Sequence, residues 1–139
     1  MVSLIVGEKG KGKTKILLDK VNAEIKDVSG NIVYLDKSAK HMYELNNKVR
    51  LINVTDYMLS DSDEFTGFVT GIISQDHDLQ QMYLDSFLKI ACLEGQDIAP
   101  TLKKLTVLSE KFGVDFIISA SVNENDVPAE FKENITVAL

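Results

Sequence analysis

Apolar and polar positions follow two alternating rhythms along this chain. Val2–Val6 (VSLIV) is a short apolar run that stops at Gly7, the mark of a buried strand. From residue 14 to 28 the apolar positions spread to helical spacing at Leu17, Val21, Ile25 and Val28, and Gly30 follows as a stop signal. Residues 31–35 (NIVYL) are apolar and β-branched, a second strand, and residues 50–54 (RLINV) form a shorter third. Phe65, Phe68, Val69, Ile72 and Ile73 return to the helical rhythm. The acidic stretch before them (SDSDEF) reads as that helix's N-terminus, where carboxylates favour the positive end of the dipole. Residues 81–84 (QMYL) read as a strand running into Asp85. Pro100 opens a helix through Leu102, Leu105, Leu108 and Phe112, closed by Gly113. Residues 114–119 (VDFIIS) form a strand, 128–133 a short helix capped by Asp126, and 135–139 (ITVAL) a last strand.

Strands separated by helices predict right-handed βαβ units. The expected fold class is α/β: three layers, a mostly parallel sheet with helices on both faces. With 139 residues and no linker or repeat, residues 1–139 fit one domain. Ligands of such sheets sit at the carboxyl ends of the strands. The residues to watch are therefore those that follow each strand: the 7–14 loop, Asp36, Thr55 and Asp56, Asp85, Ser119 and Ser121.

Residues 7–14 (GEKGKGKT) match G-x-x-x-x-G-K-[ST] at every fixed position, between an apolar strand and an amphipathic helix. Backbone N–H groups that wrap a phosphate need glycines, because side chains would block the approach. Lys13 would reach the β- and γ-phosphates, and the Thr14 hydroxyl would ligate Mg²⁺. The candidate nucleotide-binding residues are Gly7, Glu8, Lys9, Gly10, Lys11, Gly12, Lys13, Thr14 and Lys15. Of these, Gly7, Gly10, Gly12, Lys13 and Thr14 make the cradle, while Lys9, Lys11 and Lys15 are optional.

A magnesium nucleotide site also needs a carboxylate at a neighbouring strand end. Asp85 is the candidate, which makes Thr14 and Asp85 the candidate metal residues. The next residue is Ser86, not a glutamate that could orient a water. Asp36, with Asp56 behind it, is the candidate for that role, so the candidate catalytic residues are Lys13, Asp36 and Asp85. Ser119 and Ser121 are candidate γ-phosphate sensors. His41 and His77 are too isolated to form a metal site.

Charge sharpens the picture. Residues 1–50 carry ten Lys and Arg against six Asp and Glu, and residues 51–139 carry five against fifteen. The net charge of −6 disfavours a long nucleic acid, while the basic opening loop suits a small polyanion. Arg50 is the only arginine, which speaks against a small-molecule kinase, since such enzymes clamp phosphates with several. Lys37 or Lys40 could supply the missing cation. One cysteine, Cys92, and no leader-like or membrane-spanning run fit a cytoplasmic protein without membrane insertion.

On "GEKGKGKT", "YLDS" and "FIISAS" the chain resembles a minimal RecA-like (ASCE-type) P-loop NTPase. Through "NKVRLINVTDY" and "GFVTGI" it is similar to small Firmicute ATP-binding proteins labelled twitching-motility-ATPase-like. The extra N-terminal domain of the true motors is not expected in these 139 residues, and their His- and Asp-rich boxes are not found in them. The resemblance implies a nucleotide-binding core of the 7–14 loop and Asp85. It also implies a RecA-like strand order, with the 114–119 strand between the loop strand and the Asp85 strand. ATP with Mg²⁺ is the expected ligand, adenine being preferred because no N-K-x-D motif for guanine is present. Slow ATP hydrolysis is the expected activity. The alternative is a nucleotide-dependent switch that binds a protein partner or forms a homo-oligomer.

Overall fold

A computed structural model describes all 139 residues. Six strands form one sheet: β1 (Val2–Val6), β2 (Asn31–Asp36), β3 (Arg50–Asn53), β4 (Leu79–Leu84), β5 (Asp115–Ala120) and β6 (Ile135–Ala138). Their order is β3-β2-β4-β5-β1-β6, and every neighbouring pair is parallel. The β5 strand lies between β1 and β4, as the strand-order expectation required.

Successive side chains of a strand point to opposite faces, and the core divides accordingly. Ile32 and Tyr34 of β2 face one side with Ile5, Tyr83 and Ile117, under Leu17, Leu18 and Val21 of α1 (Lys13–Glu24). Val33 and Leu35 face the other side. They are covered by α2 (Ser62–Ser74), the short α3 (Phe87–Ile90) and α4 (Ala99–Phe112). Both faces of each central strand are buried, which is why these strands read as continuous apolar runs. No helix is long and apolar enough to cross a membrane.

Several boundaries differ from the sequence reading. The α1 helix ends at Glu24, although Val28 still packs on the core, because the chain turns at Asp27 with both N–H groups on the Glu24 carbonyl. The β4 strand begins at Leu79, two residues earlier than expected. The 128–133 helix is a 3₁₀ turn, Ala129–Asn134, preceded by Pro128 and without a side-chain cap. Asp126 belongs instead to a separate turn, Glu124–Asp126, its N–H on the Asn123 carbonyl.

Candidate functional site

All six strands point the same way, so the chain segments that follow them gather at one edge. There they enclose a cleft of about 670 Å³ in which Leu88 is the only hydrophobic residue. One wall is the loop after β1. Gly10 and Gly12 adopt φ of 86° and 95°, left-handed conformations that side chains disfavour. Gly7 meets a different demand: a Cβ there would press on Leu139, which pairs with Val6 at the sheet edge. The Gly7 N–H is held by Val122. From Glu8 to Lys15, by contrast, no backbone N–H donates to an acceptor in the chain. The last three of these donors, on Lys13, Thr14 and Lys15, are the first N–H groups of α1, at the positive end of the helix.

Lys13 is buried beneath the loop and donates to the Gly7 and Glu8 carbonyls at 2.8 and 2.9 Å. Burial pushes its ammonium below the ordinary lysine range, and the nearby Asp85 charge partly restores it. Thr14, on the first turn of α1, donates its hydroxyl to Asp85 Oδ1 at 3.2 Å.

Asp85 follows β4 and is buried among three hydroxyl donors. Besides Thr14, Ser119 of β5 donates to Oδ1 at 2.7 Å, and Tyr34 of β2 donates to Oδ2 at 2.7 Å. Its own N–H donates to Leu35, so the sheet ladder continues into the site. Ser119 Oγ also accepts the Ser86 N–H.

The structure brings Lys9, Gly10, Gly12, Lys13, Thr14, Asp85 and the two serines, Ser119 and Ser121, to the cleft. It does not bring Gly7, Glu8, Lys11 or Lys15 to its lining. Lys15 pairs with Asp19 along the exposed flank of α1 instead. Asp36 ends β2 beside Asp85 but lies inside the protein and outside the lining. Its Oδ1 accepts the Lys37 N–H, while Oδ2 has no partner. Burial, and then the Asp85 charge, hold this carboxyl above the usual carboxylate range. Asp56 also lies outside the lining and takes an Asn53 amide hydrogen. Arg50 starts β3, at the opposite end of the sheet from the cleft, so in its own chain it faces no cleft residue.

Lysine supplies the positive charge. Lys37 and Lys40 line the cleft, as do Lys89 of α3 and His41, whose Nδ1 lies 3.0 Å from Glu44 Oε1. With Lys9 and Lys13 that makes five lysines against two carboxylates, Asp85 and Glu94. Tyr34, Lys89 and Glu94 were not singled out by sequence, and His41 was considered only as a metal ligand.

The arrangement can hold a compact polyanion: cations on several segments, a run of free N–H donors and a helix N-terminus converge on it. No group of three His, Cys, Asp or Glu side chains is placed to hold a metal alone. Thr14 and Asp85 offer two adjacent oxygen donors, a set suited to Mg²⁺, which keeps several waters and takes few protein ligands. The fold and cleft define a three-layer α/β domain with a cationic site at the carboxyl edge of a parallel sheet. No protein-family model matches the chain, and no curated protein matches it either.

Proposed function

We propose that this chain is a P-loop nucleotide-binding protein that takes ATP with Mg²⁺ and hydrolyses it slowly. One observation carries the reading: from Glu8 to Thr14 the loop carries unpaired N–H donors, and it brings Lys13 to the cleft where Thr14 meets Asp85. Free N–H groups would wrap the phosphates, and Lys13 would neutralise the β- and γ-oxygens. Thr14 and Asp85 would hold Mg²⁺, Asp85 through water; the ion would neutralise phosphate charge as the β–γ bond breaks. Lys37 and Lys40, which line the cleft, would supply the cation that an arginine otherwise provides. The absence of any arginine from the cleft supports slow turnover and counts against a small-molecule kinase. Adenine is preferred to guanine, and the cytoplasm is the compartment this reading suits.

The second reading is a nucleotide-dependent switch without turnover. Its support is that Lys37, Lys40 and His41, on the connection after β2, line the same cleft, so bound phosphate could order that segment for a protein partner or a second copy. Purified chain and a Lys13→Ala variant, each with MgATP, separate the readings. Turnover that disappears in the variant supports the ATPase. Tight binding without turnover supports the switch. Failure of the wild-type chain to bind any nucleoside triphosphate overturns both.

A further inference from the structure

A carboxylate that activates water must come within hydrogen-bond reach of it, and so must face the cleft. Asp85 and Glu94 are the two that line it, and Asp85 is engaged by Thr14, Tyr34 and Ser119. Asp36 is buried outside the lining. Glu94 is exposed and forms no ion pair, although the cleft holds five lysines.

The chain that carries Glu94 is shaped to bring it there. Ser86, Cys92 and Gly95 adopt left-handed φ of 57°, 58° and 73°. For the two non-glycine residues that conformation costs about 1–2 kcal/mol each. Between them α3 folds back so that Ser86, Lys89, Glu94 and Gly95 all line the cleft. Leu93 anchors the return: its side chain joins the core and its N–H donates to Leu88 at 2.8 Å. Glu94, the next residue, is thereby turned outward. Strain kept in one segment beside a polar cleft points from geometry to function.

We propose that Glu94 is the catalytic carboxylate that orients and deprotonates the attacking water, an inference that rests on the hydrolytic reading above. The water oxygen bonds to the γ-phosphorus as the bond from that phosphorus to the β–γ bridging oxygen breaks. The water proton passes to Glu94 and on to solvent, leaving ADP and inorganic phosphate. The serine at position 86 then does not leave the site without a base. The base comes from farther along the same segment.

The test uses the full chain, Glu94→Gln and Asp36→Asn, with binding of a fluorescent ATP analogue, single-turnover hydrolysis, and identification of the nucleotide retained after incubation. Glu94→Gln should bind within about twofold of wild type, hydrolyse about 100-fold more slowly and retain intact ATP where the wild type retains ADP. Wild-type hydrolysis in Glu94→Gln overturns the proposal, and if Asp36→Asn alone loses turnover the role passes to Asp36. A wild-type chain that binds ATP and never hydrolyses it also overturns the proposal but leaves nucleotide binding standing. A wild-type chain that binds no nucleotide overturns the underlying reading.

Discussion

The Tyr34 hydroxyl donates to Asp85 Oδ2 across 2.7 Å in the protein interior, tying the end of β2 to the end of β4. Burial, and then the Asp85 charge, push the phenol far above its ordinary range, so it stays a donor at every working pH. Its ring stacks on Tyr83 at 6.0 Å between centroids, so packing holds the ring while the hydroxyl holds the carboxylate. Tyr34→Phe keeps the ring and removes one of three donors. A hydrogen bond to a charged group contributes about 1.5–3 kcal/mol, so the variant should lose about that much unfolding free energy in urea. It should also need more Mg²⁺ for half-maximal nucleotide binding, because the Asp85 plane is less fixed. Wild-type values for both would show that Tyr34 is only a core aromatic.

Thr14 tests the proposed metal role separately from the proposed phosphate cradle. Its hydroxyl reaches Asp85, while its backbone N–H belongs to the unpaired run of the loop. Thr14→Ala should leave nucleotide affinity in EDTA within about threefold of wild type, since the backbone contacts remain. The tightening that Mg²⁺ adds should fall at least about tenfold, and Thr14→Ser, which restores the hydroxyl, should recover most of it. Equal losses in both media would assign Thr14 to packing instead.

Much of this site was legible because its parts are local. The 7–14 loop is read from eight consecutive residues whose conformational demands are built into their side chains, and Asp85 from its place after an apolar strand. Strand and helix rhythm gave the layers because both faces of β2, β4 and β5 are buried. What escaped depends on register and turns. Tyr34 meets Asp85 because β2 pairs with β4 at Leu35 and Leu84, a pairing no local pattern encodes. Glu94 reaches the cleft through left-handed turns at Ser86 and Cys92, residues that carry no composition signal for that conformation. Asp36 has the right place in the chain and the right neighbour, yet its carboxyl lies inside. Lys15 follows the cradle directly, but helix geometry turns it toward Asp19.

The acidic stretch before α2 does structural work. Asp61 accepts the Glu64 N–H at 2.8 Å, and Glu64 in return accepts the Ser60 N–H and hydroxyl, both at 2.6 Å. These bonds give the carboxylates partners within the chain, with no need for a bound cation. Asp61→Ala should cost about 1 kcal/mol of stability by chemical denaturation, with nucleotide affinity unchanged. A change in calcium-dependent stability on the same substitution would contradict the capping role.

Asp36 sets a pH dependence of stability whose sign follows from its surroundings. Burial and the Asp85 charge raise its carboxyl above the usual range, and Oδ2 finds no donor. The folded chain therefore binds this proton more tightly than the unfolded chain does. The stabilisation from that protonation is complete below the unfolded carboxylate value of about 3.9 and is lost as pH rises through the folded value. Asn at this position cannot ionise and removes the dependence. In metal-free buffer, Asp36→Asn should exceed wild type in stability at pH 7 by about 1 kcal/mol, the scale of one unsatisfied buried polar group. The advantage should shrink steadily toward pH 4, where the wild-type carboxyl holds its proton. Taking the difference between variant and wild type at each pH cancels the other titrating groups, so paired urea midpoints at pH 4, 5.5 and 7 suffice. An advantage that grows on acidification would mean that the Asp36 charge is stabilised in the fold, against the burial and the unpaired oxygen described above.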